Sequence, residues 1–437
     1  MNAQRPLSHF ETTYFAAEAT FGSIVTGGMP LYIGSTVTGR VDERILRLVL
    51  DELAAAHPLL RSRVVFDAEG NGHFVVDDEF RPRLEVCPGG AGEYFRLVNE
   101  RPTWSDGLFS ARVLREGDRE QLVLAIHHGI ADGRSAFALL DQLWRHYAAH
   151  VAGSPIPRVV EHDLPPAADA RMADVIDDDT MAAWLATVSA QVAAAGPDAA
   201  PAALPHDGSE ADGPRGRFAM LRVELDPHDT VALIESARAH DISVNSLFSA
   251  AALVALRAVF DADGPLLLTI GHAADVRAQV VPPLPSATVV NWASGVGTGH
   301  SVDEGADPFE LGRAVEAGMR DCLDRREHAI VLLAGQRTGD DPVLAAVLCA
   351  KPSLVVSNIG RLPAHSLPAE LTFVRDDIFA MSSGMAPKMT VFTVGDRMTV
   401  QVEFDTALYS GVRQERLRTA LVQSLRNVGV EAGAPHG

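Results

Sequence analysis

Residues 125–133 read AIHHGIADG and connect an apolar strand to a helix through two adjacent histidines and an Asp-Gly pair. In the four preceding residues, QLVL, both alternating sets of side chains are largely apolar, which is typical of a strand buried on both faces. The alternation predicts that the two imidazoles lie on opposite faces of the strand end. Asp132 can hydrogen-bond within a tight turn and Gly133 permits one, so we expect His128 at a sharp strand-to-helix junction.

Three interpretations of the two histidines compete. The first is a hydrogen-bonded core position, which is the usual place for a single histidine in an apolar strand. The second is a metal site formed by His127, His128 and Asp132, but adjacent strand residues point apart and no third and fourth ligand is nearby, so we expect no metal. The third is general-base catalysis, because an imidazole accepts a proton near neutral pH without special tuning. No Gly-x-Ser-x-Gly elbow is present, which favours direct transfer between two bound substrates over a serine nucleophile.

Composition excludes several classes of protein. The chain has 437 residues and a formal net charge of −20, which disfavours binding to nucleic acid or to an anionic membrane surface. No run of 18 apolar residues and no apolar leader are present, so we expect a cytoplasmic protein without membrane insertion. The three cysteines are widely spaced and indicate neither a disulfide framework nor a zinc site. Abundant Ala, Gly and Pro, with Arg far commoner than Lys, suggest a bacterial origin.

Helix and strand patterns alternate along the chain and predict two α/β lobes. Hairpins are expected where RSRVVF is followed by HFVV, LFSARVL by QLVLAIHH, and MTVFTV by RMTVQVEF. Residues 193–217 are rich in Ala, Pro, Gly and Asp, which is typical of a linker or crossover loop. We therefore predict an N-terminal lobe at 1–192 and a C-terminal lobe at 218–437, with a cleft between them for ligands.

The sequence resembles one enzyme superfamily. HHGIADG matches the HHxxxDG motif of the chloramphenicol-acetyltransferase-like superfamily, which includes the condensation domains of peptide synthetases. Further stretches resemble the polyketide-associated acyltransferases of the phthiocerol/phthiodiolone dimycocerosyl transferase type, in the order that this family shows, from about residue 5 to the last helix. These stretches are RPLSHFE (5–11), AAHPLLRSRV (55–64), ISVNSLFSAAALVAL (242–256), ADVRAQV (274–280) and SLVVSNIG (353–360).

The resemblance implies a fold and a set of site residues. The fold would be two chloramphenicol-acetyltransferase-like lobes arranged in a V around a central substrate tunnel, in a monomer. The second histidine of the motif would be the base at the middle of the tunnel, and the motif's aspartate would pair with an arginine and hold the turn in shape. The residues implied are His128 as the catalytic base, His127, Asp132, Gly133 and Arg277 as structural groups, and Asn291, Ser357 and Asn358 along the channel.

The resemblance also implies a reaction. An acyl group would move from a thioester, on CoA or on the phosphopantetheine arm of an acyl carrier protein, to the hydroxyl of a small acceptor. No tightly bound cofactor would be required, and the setting would be polyketide, lipid or other secondary-metabolite biosynthesis. Docking of an acidic carrier would need a local basic patch, for which the arginine pairs 61/63, 81/83 and 325/326 are candidates. Two alternatives stay open: a stand-alone condensation enzyme that forms an amide, and a catalytically silent protein that binds a carrier or a biosynthetic enzyme.

Overall fold

The computed structural model describes residues 3–16, 18–195, 200–209, 217–337 and 342–430. Its helices are α1 (His9–Phe15), α2 (Glu43–Ala56), α3 (Ala91–Val98), α4 (Gly133–Val151), α5 (Ala168–Met172), α6 (Asp178–Ala195), α7 (Pro227–Ala239), α8 (Val244–Arg257), α9 (Pro308–Asp324), α10 (Glu327–Ala334), α11 (Pro342–Leu348) and α12 (Gly411–Val430). Its strands are β1 (Gln4–Pro6), β2 (Thr20–Phe21), β3 (Ile24–Val25), β4 (Pro30–Thr38), β5 (Ser62–Phe66), β6 (Gly72–Val76), β7 (Arg83–Pro88), β8 (Phe109–Glu116), β9 (Arg119–His127), β10 (Phe218–Leu225), β11 (Leu266–Asp275), β12 (Ala293–Val302), β13 (Leu354–Leu362), β14 (Thr372–Phe379), β15 (Lys388–Val394) and β16 (Arg397–Asp405).

The chain divides into two compact α/β units, each assembled from several segments. The first unit comprises residues 1–175, 276–293 and 364–382, and the second comprises residues 176–275, 294–363 and 383–437.

The first unit is built on a five-stranded sheet with the order β14-β4-β9-β8-β7. Strand β9 lies between β4 and β8 and pairs with both in antiparallel register, as the predicted β8–β9 hairpin requires. Residues 120–127 of β9 are all buried, in agreement with its two apolar faces. Helices α2 and α4 pack against each other, and one stripe of α4 is buried, formed by Phe137, Leu140, Trp144 and Tyr147. The sheet therefore places the end of β9, with its histidines, next to the start of α4.

The second unit is built on a six-stranded sheet with the order β10-β16-β15-β13-β11-β12. One face of this sheet forms a hydrophobic core with α8 and α12, in which Val400, Val402, Leu253 and Leu421 are buried. The predicted β15–β16 hairpin is confirmed, and Gly395 takes a positive φ of 63° in its turn.

The described part of the predicted linker is not uniformly extended or exposed. Helix α6 runs to Ala195, so the first three residues of the 193–217 segment are helical. Leu204 is 2% exposed in the core of the second unit, and Ala202 N donates to Leu267 O at 2.7 Å. Residues 196–199 and 210–216 of the segment lie outside the described residues. The lobe boundaries at 192 and 218 stay a prediction. The two compact units have other bounds, because the chain passes from one unit to the other more than once.

Within the described ranges, no single helix combines the length and apolar composition needed to cross a membrane. Helices α7 and α8 meet that requirement only as a pair, and the pair is bent by 104° at its break.

Candidate active site

His127 is the last residue of β9 and is held as a neutral, buried group. Its ring stacks on Phe15 with centroids 4.1 Å apart and meets the edge of Trp104 at 4.9 Å. Its Nδ1 accepts a hydrogen bond from Gly129 N at 3.1 Å, so the proton of the neutral ring is on Nε2. Burial, with a smaller effect from His128, lowers the pKa of His127 to about 3. These contacts give His127 a structural position, as the resemblance implies.

His128 lies one residue beyond the end of the strand, which the sequence predicts to include it. The strand ends at His127, and His128 begins a 3₁₀ turn that spans His128–Ile130. His128 N still donates to Met29 O at 2.9 Å, the next position in the register of β9 with β4, so the backbone leaves the sheet only after this bond. The side chain is half-buried, whereas that of His127 is 1% exposed.

The turn also selects the tautomer of His128. Its Nδ1 lies 2.9 Å from Ala131 O, and a carbonyl oxygen can only accept, so Nδ1 carries the proton of the neutral ring. The basic lone pair is then on Nε2. This is the tautomer that a general base acting through Nε2 requires, and a backbone carbonyl fixes it.

Asp132 forms the N-terminal cap of α4. Its φ of −108° and ψ of 179° place it in extended backbone, and its carboxylate accepts from Ser135 N at 2.9 Å. Gly133 is the first residue of α4 and is helical, so the change of chain direction occurs at the capping residue. The hydrogen bonds of Asp132 within the turn, which the sequence predicts, belong to a capping box of Asp132 and Ser135.

Arg277 meets the same carboxylate, as the resemblance implies. Arg277 Nη1 donates to Asp132 Oδ2 at 2.7 Å, and its Nη2 donates to Val290 O at 2.9 Å. Trp292 N also donates to Asp132 Oδ2, at 2.8 Å. Asp132 and Arg277 are each 3% exposed, so this is a buried ion pair. The carboxylate therefore accepts hydrogen bonds from the helix cap, from Trp292 and from Arg277. Because its oxygens already have these partners, it is poorly placed to relay a proton or to bind a metal.

Asn291, expected along a substrate channel, contacts the backbone of His128. Its Nδ2 donates to His128 O at 3.1 Å, and its Oδ1 accepts from Ala293 N at 3.2 Å. The residue is 3% exposed. The structure therefore places Asn291 beside His128 and engages both ends of its amide with protein groups.

Ser357 and Asn358 lie on β13 in the second unit. Asn358 Nδ2 donates to Asn245 Oδ1 at 3.0 Å, and its Oδ1 accepts from Gly360 N at 2.9 Å. The pairing of β13 with β15 shifts register between Asn358 and Gly360, so the asparagine stabilises an irregularity in the strand. The role of Ser357 and Asn358 along a substrate channel stays a prediction. The other six predicted site residues belong to the first unit.

Tyr14 was not predicted from any sequence pattern, and it packs against His128 with ring centroids 5.6 Å apart. The pKa of Tyr14 is raised to about 12. Burial is the largest cause and the charge of Asp132 adds to it, whereas a side-chain hydrogen bond with Asn291 acts in the opposite direction. Tyr14 lies on α1, whose N-terminus is fixed by a capping box of Ser8 and Glu11. The spacing S-x-x-E within RPLSHFE is a recognisable signal for the start of this helix, but not for what the helix contacts.

The arginines proposed as a carrier-binding patch are mostly engaged within the protein, so that hypothesis is not supported. Arg61 is buried and donates to Ala54 O at 2.9 Å and to Ala55 O at 2.8 Å. Ion pairs neutralise several of the others: Arg63 with Asp77, Arg83 with Glu85, and Arg325 with Glu327. A cavity of about 240 Å³ that includes Arg61 and Arg81 in its lining contains none of the predicted site residues.

Comparison with known proteins agrees with the predicted resemblance. Residues 214–403 match the family described as "Phthiocerol/phthiodiolone dimycocerosyl transferase C-terminus". A phthiocerol/phthiodiolone dimycocerosyl transferase from Mycobacterium ulcerans is 26% identical over 345 residues, which cover 77% of this chain and 78% of the relative.

Solved structures agree on the fold. Polyketide synthase associated protein 5 from Mycobacterium tuberculosis superposes with a TM-score of 0.70 at 17% identity, covering 97% of this chain and 98% of that chain. TRI3 trichothecene 15-O-acetyltransferase from Fusarium sporotrichioides gives a TM-score of 0.73 at 12% identity, covering 98% and 94%. The α/β fold shared with chloramphenicol-acetyltransferase-like and condensation proteins is thereby confirmed. The relatives named as transferases confirm the predicted enzyme class, acyltransferase.

Proposed function

We propose that this chain is an O-acyltransferase with His128 as its general base. It would move an acyl group from a thioester of CoA or of an acyl carrier protein to the hydroxyl of a small acceptor. The observation that carries this proposal is the hydrogen bond between His128 Nδ1 and Ala131 O, which leaves the basic nitrogen at Nε2 of a half-buried ring. The relatives named dimycocerosyl transferases support acyl transfer as the reaction class.

The proposed reaction needs only one proton carrier. The acceptor hydroxyl gives its proton to His128 Nε2 while its oxygen forms a bond to the thioester carbonyl carbon. The tetrahedral intermediate then breaks its C–S bond, and the imidazolium returns the proton to the leaving sulfur, so the ring regains its starting state. During the step, Ala131 O stabilises the charged ring through the Nδ1–H bond. General-base action contributes roughly 10²–10⁴-fold, and holding both substrates in place contributes about 7–11 kcal/mol.

The biological setting belongs to the same proposal. We place the reaction in polyketide, lipid or other secondary-metabolite biosynthesis, in a cytoplasmic monomer of bacterial origin with no tightly bound cofactor. The V-shaped arrangement of lobes and the substrate tunnel, with Ser357 and Asn358 along it, are part of the proposal as well. Because the candidate arginine patch is largely neutralised by acidic neighbours, CoA and carrier thioesters are tested side by side.

A substrate panel tests the proposal. The purified chain is incubated with acyl-CoA and acyl-carrier thioesters of graded length, together with acceptors offered as matched alcohol and amine pairs on one scaffold. Products are identified by mass spectrometry. Ester formed faster than in the protein-free control is the expected result. Amide from the amine partner alone would instead support a condensation enzyme, and binding without product would support the silent binding protein.

A further inference from the structure

Three consecutive residues, 290–292, are hydrogen-bonded to the turn that carries His128; we refer to them as the clamp. Ser135 Oγ donates to Val290 O at 3.3 Å, Asn291 Nδ2 donates to His128 O at 3.1 Å, and Trp292 N donates to Asp132 Oδ2 at 2.8 Å. These bonds span the whole turn from His128 to the first turn of α4. The turn is thus held by a segment more than 150 residues away in the sequence.

Within the clamp, Asn291 acts on the residue that carries the base. Its Nδ2 fixes the carbonyl of His128, while Met29 O fixes the amide N–H of His128 at 2.9 Å. The amide of Asn291 cannot simply rotate, because its Oδ1 accepts from Ala293 N. Since Asn291 is 3% exposed, water does not compete easily for these bonds. Both peptide groups of His128 are therefore fixed on the protein.

Tyr14 connects the clamp to the imidazole. Its ring lies against the ring of His128, at a centroid distance of 5.6 Å and an angle of 42°. Its hydroxyl is near enough to the side chain of Asn291 for that amide to lower the pKa of Tyr14. Tyr14 is 8% exposed, so removing its hydroxyl would leave the Asn291 amide with one polar neighbour fewer in a buried place.

We propose that Asn291 and Tyr14 are positioning residues for His128, which hold its ring in the Nδ1–H tautomer and aim Nε2 at the acceptor. The proposal deepens the proposed function and rests on it. It differs from the substrate-contact role predicted for Asn291: a substrate contact would change KM, whereas a positioning residue changes kcat. A displacement of a reacting group by about 1 Å can cost on the order of 100-fold in rate.

The test compares Asn291→Ala, Tyr14→Phe and the double variant with the wild-type full chain. The matched control is Tyr147→Phe, another buried tyrosine of the first unit, whose hydroxyl accepts from Asp42 N at 2.7 Å on a different part of α4. With a thioester and acceptor pair from the panel, we expect kcat to fall roughly 10- to 100-fold in Asn291→Ala, with KM changed less than about threefold. Tyr14→Phe keeps the ring against His128 and removes only the hydroxyl, so its effect passes through Asn291 and the double variant should be no slower than Asn291→Ala alone.

A second readout does not depend on turnover. In protein labelled with ¹⁵N-histidine, the two ring nitrogens of His128, assigned with His128→Gln, should report the Nδ1–H tautomer in the wild type. Their shifts should move toward each other in Asn291→Ala and Tyr14→Phe, as the tautomers mix, and stay unchanged in Tyr147→Phe. Unchanged ring shifts and unchanged kcat in both variants would overturn the proposal, and so would a change in KM alone. If the tautomer responds as expected but the wild type makes no acyl product, positioning stands and the proposed function fails. Tyr14→Phe, which removes a single oxygen, provides the test if Asn291→Ala does not fold.

Discussion

The carboxylate of Asp132 accepts from Ser135 N, Arg277 Nη1 and Trp292 N, while the Nδ1 proton of His128 is directed to Ala131 O. The aspartate of the HHxxxDG motif therefore organises the backbone around His128 and does not orient the imidazole directly. A buried charge pair of this kind contributes through its geometry, because desolvation offsets much of the attraction between the two charges.

Asp132→Asn should destabilise the protein by about 3–5 kcal/mol, because it leaves the buried guanidinium of Arg277 without its counter-charge. Urea unfolding measures this loss. Asp132→Asn combined with Arg277→Met removes both charges and should recover most of it. Arg47→Met, which breaks a solvent-exposed pair with Glu43, serves as the control and should change stability by less than about 1 kcal/mol. Wild-type stability in Asp132→Asn alone would contradict this description of the turn.

At the site, sequence predicted the motif residues but not their neighbours. The spacing of HHGIADG and the resemblance led to Asp132 and Arg277, whose contact the structure contains. Tyr14 and Phe15 were not predicted, because their contacts with the two histidines join residues more than 110 positions apart. Such contacts arise from how helices pack on the sheet, and no local pattern encodes them. The capping box of α1 was the available signal.

Among the elements, local pairings were predictable and distant ones were not. The hairpins β5–β6, β8–β9 and β15–β16 follow from alternation and turn residues close together in the chain. Strand β14 instead joins the edge of the first sheet by pairing with β4, over 330 residues away. Buried polar contacts help to fasten it: Asp376 accepts from Ser35 Oγ at 2.6 Å, and His365 Nε2 lies 2.8 Å from Asp376 Oδ2.

The stability that β14 gains from its contact with His365 should depend on pH. Burial lowers the pKa of His365, but the hydrogen bond and charge of Asp376 and the charge of Asp141 outweigh it, so the pKa is raised above its ordinary value. A raised folded-state pKa stabilises the fold below about pH 6.5, and this contribution is lost as pH rises through the folded-state pKa.

His365→Gln should accordingly lower Tm more at pH 6 than at pH 9, with a loss of about 1–3 kcal/mol at the lower pH. Thermal unfolding at both pH values measures this. The control is His162→Gln, which alters a side chain that is 62% exposed and should leave Tm unchanged. An equal change in Tm at pH 6 and pH 9 would show that the pKa of His365 is not raised in the folded protein.

Across the whole molecule, buried neutral histidines should limit stability in acid. Burial, with a smaller effect from His300, lowers the pKa of His272 to about 4, and burial also lowers the pKa of His300. His127 shows the same effect in the first unit. The unfolded chain then binds more protons than the folded one between pH 4 and about 6.5, so stability must fall as pH falls through this window.

Tm recorded between pH 7 and pH 4.5 should therefore decrease steadily, and the decrease should be smaller in His272→Gln than in the wild type. Because this variant can also lower Tm at pH 7, the slope with pH is the quantity compared. A wild-type Tm that does not change over this range would mean that these histidines are protonated in the folded protein.

The class of fold followed from the alternation of elements and from the motifs in series. The contact-based units depend on which segments pack together, and the segments 276–293 and 364–382 group with the first unit although most of its residues precede 176. Composition cannot reveal such an exchange, because the composition of a segment does not specify its distant contacts.

The most direct test of the central claim is the turnover of His128→Ala with the thioester and acceptor pair that the wild type uses. The account predicts that kcat/KM falls by at least about 100-fold, because the variant lacks the Nε2 that accepts the proton of the acceptor hydroxyl, while Tm and the circular dichroism spectrum stay those of the wild type. Turnover close to that of the wild type, with the same ester product, would contradict the assignment of His128 as the base.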